Sequence, residues 1–159
     1  MKRLVKIQET VLVISSILVL IGLFLTVLLR YVFKIDLFGI EELLLLPIFL
    51  LYFIGAANGS YEDSHISANM IDSYLKSEKV KLIIKAFTTV VTLGVCVIIS
   101  YWSTEYLIWS FSNGGATSGW QIPLYIPHGT VLLGFLLMTL YSFTHLYTQI
   151  NLIIHQYKN

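Results

Sequence analysis

Between Val11 and Leu29 the chain runs for about 19 residues without a charge, and this stretch restricts the fold more than any other feature. A helix needs about 20 apolar residues to cross about 30 Å of hydrocarbon. Three further apolar stretches follow. Leu43 to Ala57 begins near Glu41 and ends near Gly59, Leu82 to Trp102 carries one charge at Lys85, and Ile126 to Tyr147 is the last. Each is apolar all round rather than along one stripe, the pattern of a helix surrounded by lipid. Composition agrees: 57% of residues are hydrophobic and 12% charged, against about 25% charged in a soluble domain. The sequence therefore predicts an all-α membrane protein, a single domain over residues 1–159, with transmembrane helices at about 10–31, 41–59, 80–102 and 126–148. No internal repeat or low-complexity segment is visible.

Lys2, Arg3 and Lys6 before the first helix resemble the opening of a signal peptide. The far end, Thr26 to Phe33, lacks a small-x-small cleavage pattern, and the segment is too long for an ordinary h-region, so a retained helix is expected. Orientation follows from the basic residues. Lys76, Lys79, Lys81 and Lys85 lie between helices 2 and 3 or just inside helix 3, and Lys158 follows helix 4. Arg30 and Lys34 are the only basic residues between helices 1 and 2, and Ser103 to Pro127 holds no Lys or Arg. The positive-inside rule then predicts an N-in, C-in topology. Trp102, Trp109 and Trp120, the only tryptophans, would form an outer interfacial belt with Tyr125.

Two connections have a character of their own. From His65 to Leu75, the apolar residues Ile66, Met70, Ile71, Tyr74 and Leu75 recur at helical spacing, which predicts a short amphipathic helix in the membrane plane. A solvated loop with scattered apolar residues is the alternative. The outer segment Ser112 to Gly119 is built of turn formers and is expected to be irregular.

Catalytic or coupling chemistry is hard to find. Buried ionisable groups mark transport pathways in membranes, and the helix cores here are nearly free of them. Glu41 and Glu42 open helix 2, where the helix dipole favours carboxylates; Glu105 lies at the outer end of helix 3, and Lys85 can snorkel to the inner surface. Arg30 with Glu41 or Glu42 is a candidate structural ion pair at the outer interface. Pro47 is expected to kink helix 2. His128 and His145 stand about 26 Å apart along one helix and cannot share a haem. His65 and His145 at similar depth leave a haem or metal site conceivable, although interfacial histidines are commoner. Cys96, the single cysteine, excludes an internal disulfide and reads as a small apolar residue.

An ordered set of short motifs carries more information. Arg30-Tyr31-Val32-Phe33 closes helix 1, Glu41-Glu42-Leu43 opens helix 2, and Gly55-Ala56 lies near its end. His65-Ile66 is followed by Asn69, and Pro123-x-Tyr125-x-Pro127-x-Gly129 leads into helix 4. The set resembles the small membrane subunit of tripartite ATP-independent periplasmic (TRAP) transporters, the DctQ-like family, over nearly the whole chain. One departure is Asn69, which stands where that family usually has an acid; Asp72 follows a turn later.

The resemblance implies a chain that is not an enzyme and holds no cofactor itself. It implies a large M-type membrane subunit that carries the substrate and sodium sites, and a periplasmic P-type binding protein that delivers the substrate. The small subunit would scaffold the large one and offer part of the docking surface, with His65 and Asn69 as candidate interface residues. Substrates would be organic acids such as C4-dicarboxylates or sialic acid. The residues alone leave other classes open: a haem or quinone electron-transfer anchor, a small multidrug exporter, which would want a carboxylate inside helix 1, and a plain assembly protein.

Overall fold

A computed structural model of the chain describes residues 2–35, 39–62 and 78–158. Four long helices account for most of them: α1 (Lys2–Val27), α2 (Ile40–Tyr61), α3 (Glu78–Asn113) and α4 (Tyr125–Lys158). All four are long and apolar enough to span a bilayer. Helices suit this sequence because each backbone polar group must find its partner within the segment once water is excluded. The threonines obey the same demand. Thr26, Thr88, Thr104 and Thr139 donate their hydroxyls to carbonyls one turn back, at 2.8–3.1 Å.

Among the described residues the helices do not close into a bundle: α1 packs on α2, α2 on α4, and α4 on α3, giving a row in the order 1-2-4-3. Burial follows that order: 22% of the spanning window of α2 and of α4 is buried, but 6% of that of α1 and of α3. Interior positions hold small and hydroxyl residues (Ser15, Ala57, Ser60, Ser100, Ser110 and Ser142), while large aliphatics such as Leu20, Ile83 and Leu140 face outward. Lipid removes the hydrophobic drive between helices, so close backbone approach and polar contacts must hold them together. Gly134 shows this most clearly, since a Cβ there would lie 2.7 Å from Phe53 Cβ and 2.9 Å from its carbonyl oxygen. Phe53 also meets Phe135 at 5.9 Å.

Helix ends depart from the sequence expectation in ways that composition obscured. Helix 3 is expected to end at about residue 102, with Glu105 at that end, yet α3 continues to Asn113. No Gly or Pro interrupts that stretch; the break comes at Gly114, whose φ of +62° suits the end of a helix, while Asn113 Nδ2 donates to the Trp109 carbonyl at 2.8 Å. Ser112 and Asn113 are therefore helical, and the connection between α3 and α4 shrinks to 114–124. That connection is also more regular than its turn formers suggested. Ala116 and Pro123 form an antiparallel bridge, and Leu124 N donates to the Gly115 carbonyl at 2.9 Å.

Helix α1 ends in a widened π turn, Leu28–Val32, that holds Arg30. Ile35 N reaches the Leu29 carbonyl at 3.0 Å, and Lys34 closes the turn with φ +53°. Helix α2 runs through Pro47, which leaves the Leu43 carbonyl without its usual donor. The in-plane helix expected from His65 to Leu75, with His65 and Asn69, lies outside the described residues.

Candidate functional site

The two connections at one end of the array are fastened to each other by Glu42. Its carboxylate accepts the backbone N–H of Gly119 through one oxygen and that of Trp120 through the other, both at 2.8 Å. The turn at 118–120 leaves these consecutive amides without backbone partners, and a carboxylate with two oxygens satisfies both. Gly39, immediately before α2, completes the clamp. It sits at φ +91°, and a Cβ there would lie 2.5 Å from Trp120 Cδ1, so both backbone shape and space demand glycine. Behind the clamp, Thr117 N donates to the Ile122 carbonyl and Ile122 N to Thr117 Oγ1, each at 3.0 Å.

The expected pairing of Arg30 with Glu41 or Glu42 does not occur among the described residues. Arg30 and Glu41 are exposed, and Glu42 is taken by the loop amides. The Glu42 carboxylate is instead held by the amides of Gly119 and Trp120, while Arg30 is carried on the π turn that ends the neighbouring helix.

The end of α3 and the start of α4 are joined beside this clamp. His128 Nδ1 lies 3.1 Å from Ser110 Oγ, the Tyr106 ring packs 4.5 Å from the His128 ring, and Phe111 meets Tyr125 edge-on at 5.4 Å. On the outward face of α3, Trp102, Tyr106 and Trp109 form an exposed aromatic strip with Glu105, and Tyr106 stacks on Trp109 at 5.8 Å.

The opposite end holds a polar knot. Tyr141 on α4 reaches across α2 and donates its hydroxyl to Gln8 Oε1 on α1 at 3.0 Å, and its ring lies 5.3 Å from that of Tyr61. His145 Nε2 donates to the Tyr61 carbonyl at 3.0 Å, satisfying one of the last carbonyls of α2. That bond fixes the His145 ring against the end of α2. Gln8 Nε2, Asn58 Oδ1 and Gln149 Oε1 are buried with no hydrogen-bond partner among the described residues. The sequence reading missed Gln8, Tyr61 and Tyr141; the available signal was polar side chains recurring at one end of three otherwise apolar helices.

Taken together, the knot and the clamp place the start of α1, the end of α2 and the far part of α4 at one end, and both short connections at the other. Among the described residues no Asp, Glu, Lys or Arg is buried, and no group of His, Cys, Asp and Glu is arranged to hold a metal ion. These features define a multi-pass membrane protein whose polar contacts serve assembly.

The comparison with protein families is specific. Residues 17–152 match the family described as tripartite ATP-independent periplasmic transporters, DctQ component, and the chain belongs to that family. It is thus the small permease subunit of a TRAP transporter, a transporter component and not an enzyme, in a family that works with a large M subunit and a binding protein. No curated protein matches the chain. The family assignment displaces the electron-transfer and exporter alternatives.

Proposed function

We propose that this chain is the stationary scaffold of a sodium-coupled importer of organic acids, of the C4-dicarboxylate or sialic acid type, in the inner membrane of a prokaryote. The observation that carries the reading is the open 1-2-4-3 row with no buried charge among the described residues. Coupling a cation to transport calls for ionisable or oxygen ligands inside the membrane, so that chemistry belongs to the large subunit. An open row that leaves α1 and α3 mostly uncovered suits a chain that widens a partner's footprint.

Both termini face the cytoplasm in this reading, because the knot end carries Arg3, Lys6, Lys81 and Lys85. The clamped outer rim, 114–124 against α2, then forms part of the surface on which the periplasmic binding protein docks. His65 and Asn69 brace the inner end against the large subunit, a role tested by loss of the large subunit from detergent pull-downs of His65→Ala. The sodium ions and the substrate stay with the partner, and this chain holds no cofactor.

Reconstitution tests the whole reading. Liposomes with this chain, the large subunit and the binding protein take up labelled dicarboxylate or sialic acid under an inward sodium gradient. Those with this chain alone do not. Uptake by the lone chain would overturn the assignment.

A further inference from the structure

The inner end of α1 carries a surface that neither the clamp nor the knot uses. Val5, Gln8 and Ser15 are the buried positions of this half of the helix. Arg3, Lys6, Ile7, Thr10 and Val11 follow the i, i+3, i+4, i+7, i+8 spacing of a single face, which at 3.6 residues per turn points away from the packed side. Together they line a concave site of about 510 Å³. Thr10 spends its hydroxyl proton on the Lys6 carbonyl at 2.9 Å, so among the described lining residues the available side-chain donors are the two cations. Among the described residues neither Arg3 nor Lys6 has an ion-pair partner. Glu9, the nearest acid in sequence, is turned roughly 130° around the helix from the middle of this face.

Above the cations the same face continues as a lane of exposed aliphatics. Ile7, Ile14 and Ile21 recur every seventh residue and are 64%, 52% and 49% exposed. Ile14 stands about 17 Å along the axis from Arg3, within the length of an acyl chain. A pair of cations with no acidic partner among the described residues, beneath an apolar lane, complements a molecule with an anionic head and a long apolar tail. Scattered snorkelling lysines would explain the charges, but not their convergence on one hollow aligned with that lane.

We propose that this face of α1 binds an anionic phospholipid, with the phosphodiester between Arg3 and Lys6 and an acyl chain along Ile7, Ile14 and Ile21. Basic groups at a membrane surface attract anionic lipid electrostatically, and two of them favour it over a zwitterionic lipid by on the order of tenfold. The site is independent of the substrate and of the partner proposed above.

Native mass spectrometry of the full-length chain in mild detergent tests it, with equimolar phosphatidylglycerol and phosphatidylcholine supplied. The expected result is retention of phosphatidylglycerol by on the order of tenfold over phosphatidylcholine. The Arg3→Gln/Lys6→Gln variant should lose that preference, and the Arg3→Lys variant should keep it. Lys34→Gln, at the other end of α1, should match the unmodified chain, and excess glycerol phosphate should displace nothing. Equal retention of the two lipids would overturn the proposal, as would a preference that survives in the double variant. Displacement by glycerol phosphate alone would assign the hollow to a free phosphate instead. Loss of bound lipid on adding the large subunit, with weaker copurification of the double variant, would assign the face to a protein interface.

Discussion

Glu42 and Arg30 stand near the same end of the molecule and have different work. Glu42 holds two loop amides, whereas Arg30 has no partner within the described residues. Substituting them should therefore give unlike results. Glu42→Ala should raise amide hydrogen exchange at Gly119 and Trp120 by on the order of tenfold or more, because opening of the loop no longer breaks a charge-assisted pair. Arg30→Ala should change the stability of the isolated chain by no more than about 0.5 kcal/mol, read from thermal unfolding in detergent. Equal loss of stability in both variants would restore the ion-pair reading. The sequence marked both residues but not the link. Gly119 and Trp120 lie 77 and 78 positions from Glu42, and nothing local in either segment announces the other.

At the scale of the helices, the spans were legible and the packing was not. A run such as Val11 to Leu29 declares itself by length and lack of charge, because the bilayer sets both. The same uniform apolarity hides which face meets a neighbour, since lipid and protein are equally tolerable to Leu and Ile. The informative residues are the small ones inside the runs. Gly134 brings α4 against Phe53, and Gly22 brings α1 against Leu44. Gly134→Leu should force α2 and α4 apart and cost about 1–3 kcal/mol of stability, visible as a lower unfolding temperature; Gly94→Leu, whose Cβ meets nothing within 4 Å, should cost far less. Similar losses in both would mean that the α2–α4 contact is not close-packed. Helix ends were illegible for another reason. Ser103 to Glu105 look like a loop by polarity, but only Gly114 has the backbone freedom to end α3.

For the whole molecule, the family match and the four apolar spans agree on a small permease subunit of a TRAP transporter. The sidedness rests on charge and can be checked directly. In a Cys96→Ala background, an impermeant thiol reagent added to intact spheroplasts should label Ser112→Cys and spare Ser77→Cys; the reverse would invert the topology. The open row is the larger consequence. With 6% of the α1 and α3 windows buried, the outer helices present most of their surface to whatever surrounds them. The most direct measurement of the central claim is mass and stoichiometry of the tagged chain purified in mild detergent after co-expression with the large membrane subunit. A monodisperse one-to-one complex is expected, whose large subunit binds and moves the substrate. Recovery of the tagged chain free of the large subunit, stable and able to take up substrate in liposomes, would contradict the central claim.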